Sequence, residues 1–522
     1  MYASKKIHEK LPYEVICQAF SFLNTTEGQK DTCVPATGKL IEAHKLPVTL
    51  SLVCKTWRNI VMDLPYLWTT IHIQVKKRPI TKGTIDAAET RFKRSKKLGC
   101  HLFLAFPFHV FKSSDPEVIG DMVLNLVQPI SPRLETLVLC VPAACLWSLQ
   151  KLSPFHLPRL QTFIIRPPKD DNSKLRSLPN LSPDAFAHCS SLRNLELTHP
   201  TGLGMFQSMD PTGTLLAPVS RPFPNLTIFP YPGLQSLKLT DFALPLRLAI
   251  DIFHLATGLH YCQLKVSALR LGTHSPIAST SSGLLTHPNL RVLELCFTSG
   301  FISNFFRGLQ TDLPQLEDLK ISGTRDAQNL VSWGLPAELL DFMVRHPISL
   351  KRLEIRGVGR SFFSEGDAHL LNFLRMNDSI EVLALDELQA SDISFIKELI
   401  WRNESAVTVQ ASHVGGQILP NLKYFSLADK HPHNLTDEVL IGFLCSRWDV
   451  IGESNGESEH GEHLSQTSSS SPAQLQKVIL PQFWGGRATR SRNFGDLSRL
   501  QEEGLVFRFE GDPPENGDDW AT

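Results

Sequence analysis

Eleven copies of one six-residue pattern, L-x-x-L-x-L, constrain this chain more than any other feature. They begin at Leu134, Leu160, Leu192, Leu234, Leu259, Leu290, Leu316, Leu350, Ile380, Leu422 and Leu475. Phe, Cys, Val or Ile stands in at some sites; clear copies read LRNLEL, LQSLKL, LRVLEL, LEDLKI and LKRLEI. A pattern that returns this often restricts the chain to folds built from one repeated unit. The last two apolar positions of each copy are two residues apart, so on a short strand both face the same side. Strands of this kind, stacked in parallel, share one continuous core. In six copies a proline stands two residues before the first leucine: Pro132, Pro158, Pro232, Pro288, Pro314 and Pro420. Proline ends the preceding helix and is tolerated where a strand begins.

The segments between copies carry helix signals. Ser182-Pro183-Asp184 and Asp115-Pro116-Glu117 each place a capping residue before a proline suited to a first helical turn. Residues 246–255, 338–345, 369–376 and 436–445 read as amphipathic helices. This alternation resembles the leucine-rich repeat over about Pro132 to Leu480. The resemblance implies an α/β solenoid with a parallel sheet on the concave face and helices on the convex face. Successive copies lie 25 to 53 residues apart, whereas regular repeats of this kind run about 20–29 residues. The asparagine ladder of regular repeats is missing too. Insertions at Gly202–Pro230, Leu388–Pro420 and Arg447–Pro472 account for the longest gaps. Within the last, residues 453–472 are rich in Ser, Glu and Gly and are expected to form a disordered loop. Beyond it, Leu497–Glu502 reads as a helix, Gly504 as its C-cap and LVFRF as a closing strand, followed by an acidic tail at 511–522.

The N-terminal segment has a different period. Val15, Ile16, Ala19, Phe20 and Leu23 form one helical stripe with Pro12 in its first turn; Leu50, Val53, Cys54, Trp57, Ile60 and Val61 form a second. So few residues bury little surface alone and call for a partner or a following domain. LP-x-E, VCKTWR and LPYLW occur here in the order found in the F-box, which this segment resembles. One departure is the polar insertion Asn24–Leu46. The F-box resemblance implies docking onto the Skp-type adaptor of cullin-RING ubiquitin ligases. Leu11, Pro12, Val15, Phe20, Leu50, Val53, Cys54 and Trp57 are the residues expected to meet the adaptor or hold the helices. The expected layout is an F-box at 8–75, a basic linker or helix at 76–97, and the solenoid at 98–510.

The rest of the chain narrows the function by exclusion. With 42% apolar and 20% charged residues, the 522-residue chain is globular rather than disordered. A net charge of zero gives no general pull toward nucleic acid or anionic lipid. The longest near-apolar run, His101–Phe111, is too short to span a bilayer. The N-terminus lacks the apolar stretch of a signal peptide, so the expected location is intracellular, cytoplasmic or nuclear. The ten cysteines are scattered without a CxxC pair and read as buried free thiols. No nucleotide, zinc-protease or nucleophile motif is present, and His460 and His463 alone do not make a metal site. No cofactor, metal or catalytic residue is therefore expected.

These readings converge on a non-catalytic substrate receptor of a Skp–cullin–F-box (SCF) ubiquitin ligase, with the repeats holding a target protein. The alternative is an interaction scaffold unrelated to ubiquitin. An activator using Arg166 or Arg356 as a projecting arginine is weaker. In the repeats, outward strand positions carry alternating charges: Glu196, Lys238, Glu294, Lys320 and Glu354. Either neighbouring strands pair these charges across the sheet, or the strip recognises the target, with Tyr261, Lys320 and Arg352 as contacts. The run RFKRSKK at 91–97 reads as a solvated helix face or a nuclear import signal.

Overall fold

The computed structural model describes residues 11–24, 45–74, 82–106, 116–141, 157–166, 186, 189–198, 230–267, 285–297, 305–306, 309, 311–323, 341–342, 348–356, 367–386, 392–400, 418–428, 437–448, 473–480 and 494–509. The chain divides into two compact units, Met1–Ala243 with Ile252–Leu259, and Leu244–Asp251 with His260–Thr522.

The first unit opens with helix Tyr13–Asn24, helical residues 45–51 and helix Lys55–Asp63. Ile16, Phe20, Leu50, Ile60, Val61, Leu67 and Trp68 close together as their core. The 3-10 turn Pro65–Trp68 then leads almost directly into a strand, β1 (Thr70–Gln74). Helix Lys82–Arg94 and β2 (Cys100–Ala105) follow, then helix Pro116–Val127, β3 (Leu134–Cys140), β4 (Thr162–Arg166), β5 (Asn194–Leu197) and β6 (Ser236–Pro245). Strands β1 to β6 lie in sequence order, each parallel to the next.

The second unit repeats the plan. Its strands are β7 (Tyr261–Ser267), β9 (Val292–Phe297), β11 (Asp318–Gly323), β12 (Arg352–Arg356), β13 (Val382–Asp386), β14 (Tyr424–Ala428), β15 (Lys477–Leu480) and β16 (Val506–Phe509), parallel and in that order. Two short strands, β8 (Leu285–Thr286) and β10 (Thr311–Asp312), form a separate parallel pair. Helices Asp367–Met376, Asp392–Leu399, Asp437–Trp448 and Phe494–Glu502 connect successive strands from β12 onward.

The leucine pattern accounts for the core of both units. All eleven first positions, Leu134 through Leu475, are 1% exposed or less, and the two strand positions of every copy are also buried. The second position of each copy builds a backbone ladder in place of the absent asparagines. Gln161, Arg193 and Gln235 each donate their N–H to the second-position carbonyl of the copy before. In the second unit Arg291, Glu317, Lys351, Glu381, Lys423 and Gln476 do the same. Every link needs only a peptide group, so irregular repeat lengths leave it intact.

Several expectations are revised. The sheet begins at Thr70, inside the segment expected to be F-box alone. The basic run is a solvated face only in part: Lys93, Lys96 and Lys97 are exposed, whereas Arg91, Phe92 and Ser95 are buried, and Lys96 takes a left-handed φ of 54° as the chain turns toward β2. The stripe from Leu50 to Val61 is two helices, because Cys54 caps the second, its Sγ accepting the Trp57 N–H at 3.4 Å. Of the free cysteines, Cys100, Cys189 and Cys262 are buried and the other described ones half-buried. Burial pushes the Cys189 thiol up to about 12, which makes it inert as a nucleophile. Helix Leu246–Leu255 and strand β16 match their expected positions, and Gly504 has the positive φ (109°) of a C-cap. Residues 25–44 of the insertion Asn24–Leu46, 202–229 of Gly202–Pro230 and 449–472 of Arg447–Pro472, with the acidic tail, lie outside the described residues.

Candidate functional site

Among the described residues, the helical module leaves a group of large apolar side chains exposed. Ile16 and Phe20 turn one side of helix Tyr13–Asn24 inward, leaving Leu11, Tyr13 and Val15 in solvent. Phe20 meets Trp57 edge-on at 5.0 Å, and Tyr66 donates its hydroxyl to Cys17 O at 3.0 Å, fixing this helix on the next. The helix at 45–51 ends just before Leu52 and Val53. Leu52 donates its N–H to Thr49 O and Val53 to Leu50 O, so the turn is fixed and both side chains point outward, 72% and 53% exposed. Val48 and Met62 are exposed on the flanking helices. Of the twelve large exposed apolar side chains among the described residues, seven fall between Leu11 and Met62. That concentration on one small module marks an interaction surface rather than scattered surface hydrophobes.

The expected docking residues divide accordingly. Leu11, Pro12, Val15 and Val53 are exposed, and Cys54 and Trp57 are half-buried. Phe20 and Leu50, at 2% and 6% exposure, are core residues that hold the helices together. Sequence reasoning missed Tyr13, Val48, Leu52 and Met62. Only Leu52 carried a signal, as an apolar residue just outside the helical stripe.

The outward face of the second unit's strands holds the charged positions. Lys320 Nζ meets Glu294 Oε1 on the neighbouring strand at 2.7 Å. Glu354 instead accepts from Arg352 on its own strand, Nε to Oε1 at 2.8 Å, with Arg356 Nε 3.6 Å from its other oxygen. Glu196 in the first unit stands opposite Lys238 in register, as expected, and receives Arg166 of the strand on its other side through two bonds, 2.6 and 3.1 Å. Cross-strand pairing therefore holds at Lys320 and, with Arg166 of β4 as the cation, at Glu196, whereas Glu354 is held by arginines of its own strand. Arg166 and Arg356 are tied to carboxylates rather than projecting. Burial pushes the Asp318 carboxyl above the usual carboxylate range, against the pull of Arg352 and Lys320.

Lys320 and Arg352 line one groove of about 220 Å³, with Gln263, Glu294, Ser322 and Arg356 among its walls. Tyr261 does not reach it; its hydroxyl donates to Gln263 on the same strand at 3.1 Å. The structure thus brings together two of the three expected target-contact residues. On β2 to β4 of the first unit the matching positions are apolar instead: Phe103, Val138 and Ile164 align as a buried cluster on the side away from the leucines, and the charged positions begin beside them at Glu196.

A family model described as F-box-like matches residues 8–74. The match covers the helical module and ends with β1. No curated protein matches the chain. Among the described residues no cluster of His, Cys, Asp and Glu could hold a metal ion, and no helix is long and apolar enough to cross a membrane.

Proposed function

We propose that this chain is the substrate-recognition receptor of an SCF-type ubiquitin ligase. The helical module docks a Skp-type adaptor and, through it, a cullin. The two parallel-sheet units, read as irregular leucine-rich repeats, hold the target protein. One observation carries the reading: the residues matched as F-box-like are those on which the exposed apolar side chains concentrate. Leu11, Pro12, Val15, Val53 and the newly found Leu52 form the adaptor contact, while Phe20, Leu50 and Trp57 support it from within. Lys320 and Arg352 offer the target a polar groove on the second unit, with Tyr261 beside it on the outward face. The chain makes and breaks no bonds in this role. It raises the effective concentration of a target lysine near a conjugated ubiquitin. Its place of action is that of the ligase, cytoplasm or nucleus.

The experiment is affinity purification of the full chain beside a Leu52→Asp, Val53→Asp variant. Recovery of adaptor together with cullin from the parent, and of neither from the variant, is expected. Adaptor without cullin would favour a scaffold outside ubiquitin transfer.

A further inference from the structure

The basic run at 91–97 has no part in the docking surface, yet its arginines lie at the junction between the helical module and the sheet. Trp68 belongs to the module's core and donates its Nε1–H to Val61 O at 2.8 Å. Two guanidiniums of helix Lys82–Arg94 lie over its ring, Arg94 at 4.5 Å and Arg91 at 5.4 Å from the centroid. The negative face of an indole attracts cations, and the attraction grows as water is excluded. Arg91 is only 8% exposed, so its contact is in the dry regime.

The same C-terminal end of the helix is also held from the segment that leads into β3. Arg133, immediately before β3, donates to Phe92 O at 3.2 Å, to Ser95 Oγ at 3.3 Å and to Lys96 O. Carbonyls in a last turn lack helical partners, and a cation there is favoured by the helix dipole. β1 starts two residues after Trp68, and His101 at the start of β2 donates its N–H to Thr69 O at 2.9 Å. Module, helix and first strands are therefore joined at three points.

We propose that Arg94 and Arg133 are positioning residues which, through Trp68 and helix Lys82–Arg94, hold the helical module in one fixed attitude to strands β1–β4. Residues 82–97 are a clamp, and their arginines are committed to the fold rather than to an import receptor. Resting on the proposed function, the consequence is that an adaptor bound to the module keeps a constant offset from the first unit's strands.

The test is a distance measurement on the full chain without any partner. Spin-labelled amino acids are placed at the exposed positions Asp63 and Arg159, and the pair distribution is read by pulsed electron resonance. The parent should give one narrow peak. The Arg94→Ala, Arg133→Gln double variant, checked for an unchanged circular-dichroism spectrum, should lose it and give a broad distribution. Arg94→Lys keeps a cation over the ring and should retain the narrow peak. A broad parent, an unaltered double variant, or a lysine variant as broad as alanine would each overturn the clamp. None of these readings involves adaptor binding, so the clamp and the docking proposal fail separately.

Discussion

The helical module and the outward face of the second unit differ in what their surface groups already touch. On the module, seven large apolar side chains stand in water with their backbone fixed beneath them. On the sheet face, charged groups are held by one another: Lys320 by Glu294, and both Arg352 and Arg356 by Glu354. Covering the first surface releases apolar area from water without breaking contacts inside the chain. Engaging the second requires a ligand to compete with ion pairs that are already made. Under the proposed function, the difference assigns affinity to the module and selectivity to the strip. Substitutions should separate the two regions: those on the module change binding and not stability, and those inside the second unit do the reverse.

The largest separation is expected at Arg447. Its guanidinium is buried and donates to the carbonyls of Leu399, Ile418 and Leu419. Burial brings it down to about 10, still protonated at neutral pH. Arg447→Ala strips several buried acceptors of their donor, so a loss of about 3 kcal/mol or more in urea unfolding is expected. Adaptor affinity should be unchanged; a parallel loss of docking would break the separation.

Glu354→Gln comes next. It removes the carboxylate shared by Arg352 and Arg356, and thermal unfolding should report a loss of about 1–2 kcal/mol. Lys320→Met should cost less, about 0.2–1 kcal/mol, because its pair with Glu294 is partly solvated. A stability cost at Glu354 as small as that at Lys320 would mean that the strip is held more loosely than its geometry shows.

The smallest effect concerns acid. Burial holds the His101 imidazole below its ordinary 6.5, outweighing the upward pull of Glu135. The folded state therefore binds this proton less readily than the unfolded chain. The contribution is fully present above 6.5 and is lost as pH falls through and below that value. His101→Gln should flatten the unfolding profile in that window and leave it unaltered above neutrality.

Much of the fold was legible because a leucine spaced by two on a strand has one burial outcome whatever the length of the connection. All eleven copies obey it. The first strand was not legible: β1 lacks the leading leucine and is defined by pairing with β2, a contact between residues about thirty apart. The docking surface was half legible. Helical periodicity placed Val53 in the inward stripe, and only the Cys54 cap, a local competition between helix continuation and side-chain acceptance, turns it out. The ion pairs were legible in kind, and in partner at Lys320 with Glu294 but not at Glu354. Sequence alternation pointed to cross-strand pairs, whereas the length of arginine lets Arg352 reach Glu354 along its own strand.

Titration of purified Skp-type adaptor into the intact chain, by calorimetry, tests the docking claim most directly. The parent should bind, and the Leu52→Asp, Val53→Asp variant should lose about 2 kcal/mol or more of binding free energy. Because both side chains are exposed, its unfolding free energy should stay within about 0.5 kcal/mol of the parent. Undiminished affinity in this variant, or no binding by the parent, would contradict the assignment of the apolar surface to the adaptor.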